Sequence, residues 1–566
     1  MSNPRLFIKS FSFLLGLFML SNVSIAQKVN EENLTEQVKL YWDAKERYLS
    51  SKGAYYTDNT LGDTQEKHGK WKFYDFNGTL EEERNYFRDR IHGKQIKYYE
   101  DKSIQTETFF VFNVADSSFK EWNESGTLLT HGNYELGSPD GEWSYYYPDG
   151  QLKKKEWISN DTLYLIELFD KDSAHTQIIK DGNGVIEQYY SSGRLKKFYT
   201  YKNGLKTGNF EERLANGIIT VRGEFLNGLK HHKWQYYAPN GQLEEIISFH
   251  LDTLHGEYTS FFPDQSIKSK GAYLKGRKHE QWTWMMETGN AEMEGGFFEG
   301  KQVGKWQYYF SSGELSYIAH FEKGMRSGDW IYYFIDGSTF KSGSYKNDLK
   351  TSKWITNYEN GKTLMSGEYI NGLEHGQWIN YWENGTVKNS TYFKSGELNG
   401  EWKSFSPEHT LLIDGEYKTG LKTGEWRSYN GSGKLLLLEN FKVIKSKKNA
   451  SEIIVIGRDQ PISVLHGKFE AYSEVDFTLK ATGVYKKGEK NGTFIDYYPG
   501  GVIPTIVAQY KNGSLNGLFQ QFTRQGAIRH QIQYKDGLKD GSFLIFNSSG
   551  KVIVRKEFLN GIEVKI

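Results

Sequence analysis

Seven tryptophans, Trp282, Trp306, Trp330, Trp354, Trp378, Trp402 and Trp426, follow one another at intervals of 24 residues. An interval held that strictly marks a tandem repeat, and it constrains the fold before any composition is considered. The register continues upstream through Tyr258, Trp234, Phe210 and Ile186. A second block holds Trp71, Gln95, Phe119 and Trp143, and a third holds Phe469, Phe494, Phe519 and Phe543, where two steps stretch to 25 residues. Together these markers define nineteen units.

Other columns keep the same register. Gly stands two residues before the marker in fifteen of the nineteen units, and an aromatic stands three after it in sixteen. A second Gly comes seven after the marker, as at Gly313, Gly361 and Gly385. An aliphatic follows at nine (Leu315, Val387) and an aromatic at fifteen (Phe321, Tyr369, Phe393). Asn-Gly or Lys-Gly closes the unit, as at Asn371-Gly372. Each unit therefore reads as two short strands and two turns, with Asn-Gly and Asp-Gly suited to the type I′ geometry of hairpins. The residues at nine and fifteen are expected on one face of their strand. The marker and the aromatic three residues later do not share a face in a regular strand. Either a bulge intervenes or aromatics line both faces.

A hairpin of this size cannot bury an apolar face alone, so neighbours must stack. Aromatics are 16% of the chain and all hydrophobic residues only 37%, so Tyr, Phe and Trp carry most of the apolar area. With a mean hydropathy of −0.67, little remains for a two-layer core. The expected fold is all-β: tandem 24-residue β-hairpin repeats forming an elongated, twisted, single-layer antiparallel sheet.

The register breaks twice, from Trp143 to Ile186 and from Trp426 to Phe469, by 43 residues each time. The chain is accordingly divided into a signal peptide (1–26), an N-terminal cap with a degenerate first repeat (27–66), a first array (67–157), an insert (158–182), a central array (183–442), a second insert (443–465) and a C-terminal array (466–566). The cap contains a stretch of helical character, Glu31–Leu49. The inserts are expected to be degenerate or elongated hairpins. At the start, Arg5 and Lys9 precede the apolar run Phe11–Leu20, and Ser24-Ile25-Ala26 supplies small residues for cleavage. This pattern predicts export to the periplasm, cell surface or medium.

The columns resemble those of the MORN family in its bacterial variant form. Gly376-Gln377-Trp378 with Tyr381, Asn384-Gly385, Val387 and Tyr392-Phe393 carries the likeness, as does Gly304-Lys305-Trp306 with Tyr309 and Gly313. It extends over nearly all the chain after residue 66. The resemblance implies a single-layer sheet of hairpins. It also implies protein–protein contact and possible contact with lipid, and it supplies no catalytic residues.

The side chains point the same way. With no cysteine, thiolate metal sites, cysteine nucleophiles and lipoprotein anchors are excluded. The 71 basic and 70 acidic side chains give no basic excess, so no nucleic-acid partner is expected. No nucleophile elbow, phosphate loop or paired acid–base group stands out, and neither an enzyme nor a cofactor is expected. Histidines recur three residues before the marker, at His68, His92, His231, His255, His279, His375 and His466. Zinc–imidazole bonds are about 2.0–2.1 Å, whereas successive units lie about 9–10 Å apart, so neighbouring units cannot share an ion through this column. The histidines are read as polar turn residues.

The aromatics remain. Most are expected to pack the sheet, the marker columns covering glycines such as Gly343 and Gly367. The candidate ligand-binding rings are Trp284, Trp306, Tyr308, Trp330, Tyr332 and Trp382, taken as exposed. The functional expectation is a non-enzymatic secreted scaffold contacting an unidentified protein or cell-envelope component. The alternative is a glycan- or cell-wall-binding module, similar to choline-binding repeats, although those repeats are shorter. An enzyme site hidden in the inserts is a third reading, which no residue there supports.

Overall fold

The computed structural model describes residues 34–58, 64–445 and 461–565. The export segment at 1–26 and most of the second insert lie outside these. Among the described residues there are 46 strands and no helix, and every strand pairing is antiparallel. The chain divides into two units, Met1–His255 and Gly256–Ile566.

In each unit the strands pair in the order in which they occur along the chain. In the first, Leu205–Arg213 pairs with Ile219–Leu226, which pairs with Leu229–Tyr237, which pairs with Leu243–His250. In the second, Arg277–Met285, Ala291–Phe298, Lys301–Tyr309 and Leu315–Glu322 follow the same scheme. Each unit is thus a single layer of hairpins, as the repeat requires.

The two turns of a hairpin differ. At the closing Asn371-Gly372 both residues are left-handed, with φ of 51° and 82°, and Ile370 pairs with Leu373 across them. This is the type I′ turn expected. At the other end only the Gly is left-handed, as at Gly385 (φ 92°). Asn384 instead accepts the Thr386 N–H at 2.9 Å through its side chain, an Asx turn within a longer loop. The Asn and Asp at this position therefore serve as side-chain acceptors, and type I′ geometry is confined to the closing turn.

Bulges set the two faces. Val303 pairs with Gly296 while Trp306 pairs with Gly295, so Gly304 and Lys305 are extra residues on their strand. The position two before the marker is left-handed throughout, from Gly304 (φ 67°) to Ser352 (φ 60°) and Glu280 (φ 60°). That is the physical reason for its glycine column. A second irregularity falls at Ser316, because Tyr308 pairs with Tyr317 but Tyr309 pairs with Leu315. Leu315 therefore lies opposite Tyr309, whereas Phe321 packs on Trp306. The expectation that these two residues share a face fails, because the bulge between them reverses the alternation. Trp306 and Tyr309 point to opposite faces, so aromatics line both.

The marker face holds the core. Trp71, Trp234, Trp282 and Trp306 are almost fully buried. Each marker indole sits where the facing strand has room. A Cβ on Gly343 would come within 2.0 Å of Trp354, and one on Gly367 within 2.1 Å of Trp378. The aromatic at fifteen bridges successive markers edge to face: Trp306–Phe321 at 6.1 Å, Phe321–Trp330 at 5.5 Å and Trp330–Tyr345 at 5.2 Å.

Two sequence features differ locally. The described part of Glu31–Leu49 contains the strand Val38–Tyr41 and no helix. That strand pairs with Leu49–Asp58, whose edge would otherwise be left open. The first insert contains the strand Thr162–Phe169, which forms a hairpin with Leu152–Ser159 at the end of the first array, and the short strand Gln177–Lys180. At the second, Leu435–Lys445 pairs with Pro461–Leu465.

Candidate functional site

The marker face of the second unit carries an aromatic tract that is not wholly covered. Trp306, Trp330, Tyr345 and Trp354 form its buried floor with Ala319, and Trp284, Tyr308, Tyr317 and Tyr332 lie half-buried upon it. Trp284 stacks on Trp306 at 5.9 Å, Tyr308 on Tyr317 at 4.1 Å and Tyr317 on Tyr332 at 5.4 Å. The interplanar angles of these contacts are 28°, 10° and 28°, so the rings form a shallow ladder of nearly parallel faces.

Strand geometry explains the placement. Trp284, Tyr308 and Tyr332 each stand two residues after a marker and so share its face. Tyr317 comes from the paired strand, directly across from Tyr308.

Of the six candidate residues, Trp284, Tyr308 and Tyr332 come together as partly exposed rings. Trp306 and Trp330 are only 1% and 8% exposed, which corrects the expectation that they are surface rings. The cause is the gap beneath each indole, at Gly295 and Ala319, together with the aromatic at fifteen that closes over it. Trp382 lies apart, four residues after its marker. Its indole N–H donates to the Phe405 carbonyl at 3.0 Å and Lys388 lies 4.4 Å from its ring centre. The same inter-repeat bond is made by Tyr358 to Tyr381 and by Tyr99 to Trp122. Trp382 is thus a staple between units. Tyr317 is absent from the residues that sequence reasoning singles out, although its even spacing from Ala319 and Phe321 was a usable signal.

Cations reach the aromatic tract from within. The Lys278 ammonium lies 4.2 Å from the Trp282 ring centre and 4.7 Å from that of Trp284, and Arg326 lies 4.5 Å from Tyr345. Lys230, Lys350 and Lys422 repeat the arrangement over Trp234, Trp354 and Trp426. The face that could hold a quaternary ammonium already contains lysines at these positions. Burial, and then the neighbouring Tyr308 and Tyr332, pushes the Tyr317 phenol up to about 12, so it is a neutral hydrogen-bonding group at physiological pH. Tyr317 is stacked between Tyr308 and Tyr332, and Trp284 between Trp282 and Trp306, so these rings present edges rather than faces to a partner.

The histidine column lies on strands rather than in turns, save His466 between two strands, because the left-handed residue after it forms a bulge. His92 packs on Phe112 at 4.7 Å and His279 on Phe298 at 5.3 Å. His68 lies below the usual imidazole range through burial and then the nearby Arg88. His231 lies below it through burial and the adjacent His232 and His250.

A family model described as "MORN repeat variant" matches six segments, 67–87, 139–156, 230–250, 302–323, 374–395 and 422–442. No curated protein matches the chain. Similarity to solved structures includes TcdB2-TccC3-Cdc42, at 11% identity over 92% of this chain and 30% of that one, with a TM-score of 0.14. It also includes a Photorhabdus luminescens Tc holotoxin pore, at 12% identity over 91% and 32%, with a TM-score of 0.12. The chain thus spans about a third of the length of these solved chains.

Proposed function

Taking as premise that the chain carries MORN repeats of the variant type, we propose that it is an exported, non-enzymatic scaffold binding a protein or cell-envelope component along the marker face. The observation that supports this reading is the half-buried group Trp284, Tyr308, Tyr317 and Tyr332, packed on a buried aromatic floor. Rings already fixed by packing lose little freedom on binding, and aromatic anchors of this kind dominate interfaces.

The test is affinity capture from envelope extracts of the source cells with the mature protein and with Trp284→Ala/Tyr332→Ala. The expected result is a specific partner retained by the parent and lost by the variant, with the circular dichroism of the two alike. Capture of the same partner by both would remove the aromatic ladder from the interface, and recovery of none would remove the scaffold reading.

Glycan binding is the second reading, favoured by the concentration of half-buried aromatic rings on this face. Retention of the parent on immobilised peptidoglycan or polysaccharide, lost in the same variant, would select it.

A further inference from the structure

The expectation that neighbouring units cannot share an ion set backbone spacing against a metal–nitrogen bond, but an imidazole extends several ångströms from its strand, and the strand between two members of the column contributes a ring of its own. On the first unit's other face, Leu229–Tyr237 supplies His231 and His232, and Leu243–His250 ends on His250. His255 follows across the Leu251-Asp252 turn. The His231 and His250 rings are 5.1 Å apart, His250 and His255 are 5.8 Å apart, and His231 and His232 are 4.2 Å apart. Three adjacent strands thus place four imidazoles in one row.

Two imidazoles that bind one ion tetrahedrally through nitrogens at about 2.0–2.1 Å have ring centres about 5 Å apart. His231 and His250 already stand at that separation. The Nδ1 atom of His231 is buried and has no hydrogen-bond partner. His92 and His279 share that condition, but their rings pack on Phe112 and Phe298, whereas that of His231 faces another imidazole. The row opens into a groove of about 800 Å³. On its wall Glu224 accepts from His232 at 2.8 Å, which ties that ring to the wall. The Arg222 guanidinium, also on the wall, is engaged by Glu211 at 3.1 Å.

We propose that His231 and His250 form the anchor of a site for a borderline divalent cation of the Zn²⁺, Ni²⁺ or Cu²⁺ class, with His255 as the third ligand. Among the described residues no three His, Asp or Glu side chains already converge on a point. The two-imidazole anchor therefore captures the ion first. His255, on the next strand, completes the set by side-chain rotation, and water takes the remaining position. Imidazole-only ligation selects these ions over Mg²⁺ or Ca²⁺, which prefer oxygen.

Calorimetric titration of the mature protein with ZnCl₂ and NiCl₂ tests the site, with Cu²⁺ electron paramagnetic resonance reporting nitrogen ligation. One saturable ion per chain is expected, with nitrogen hyperfine structure. Affinity should fall about tenfold or more in His250→Gln and in His231→Gln, and stay unchanged in His279→Gln. His255→Gln should also weaken binding, and unchanged circular dichroism in each variant separates loss of ligand from loss of fold. Absence of saturable binding, or binding indifferent to His231 and His250, would overturn the proposal.

Discussion

The indole N–H of Trp306 donates to the carbonyl oxygen of Gly296 at 3.2 Å, across the point where Gly304 and Lys305 bulge from the ladder. The same bond joins Trp282 to Ala272 at 3.0 Å, Trp354 to Ser344 at 3.3 Å and Trp378 to Glu368 at 3.2 Å. A bulge interrupts the backbone pairing, and the marker indole meets the carbonyl beside it while filling the space above a small residue. Tryptophan satisfies both needs at once. Trp306→Phe keeps a ring but leaves the Gly296 carbonyl without this donor. A loss of about 1–3 kcal/mol is expected, measured by urea unfolding.

The residue beneath the indole is constrained by volume. At Gly343 a Cβ would stand 2.0 Å from Trp354 Cδ2, so the buried indole would have to move. Gly343→Ala should cost about 3 kcal/mol or more. Ala319, fully buried under Trp330, shows that another unit accommodates a methyl group there. Ala319→Gly should cost only about 1 kcal/mol. Thermal unfolding of the two variants provides the comparison.

Where no neighbour crowds it, as at Gly304, the bulge position is constrained by φ. Ser352 holds a φ of 60°, a conformation that costs an L-residue energy. Ser352→Gly should therefore stabilise the protein by about 1 kcal/mol, the added freedom of the unfolded chain offsetting part of the gain. At Gly304 a Cβ would meet no atom within 4 Å, so Gly304→Ala should lose a similar amount through backbone strain only. Denaturant midpoints of both variants, moving in opposite directions, check this.

Tyr309, on the face opposite Trp306, donates to Glu294 at 2.8 Å, and burial followed by that carboxylate pushes its phenol from 10.0 up to about 12. The folded state keeps this proton when the unfolded chain has lost it. Its contribution to stability is complete below about pH 10 and disappears as pH rises through about 12. Tyr309→Phe should make the alkaline loss of stability shallower over that window. Unfolding midpoints at several alkaline pH values test the difference, and an unchanged slope would exclude Tyr309 as a contributor.

The period, the hairpins, the closing Asn371-Gly372 turn and the packing of Trp354 over Gly343 and Trp378 over Gly367 were determined by the sequence itself. These features depend on residue type and local spacing, which a linear chain displays. Only the tertiary structure decided which rings are covered and which face each occupies. The bulges at Gly304 and Ser316 break the two-residue alternation, so Leu315 and Phe321 part company while Tyr317 joins Tyr308. Trp306 and Trp330 could not be recognised as floor because the atoms that bury them belong to neighbouring strands. The histidines followed the same rule: a column counted along one strand type spans two strand widths, and His250, from the strand between, brings the rings within 5.1 Å. Sequence spacing measures distance along the chain, whereas contact in a sheet runs across it.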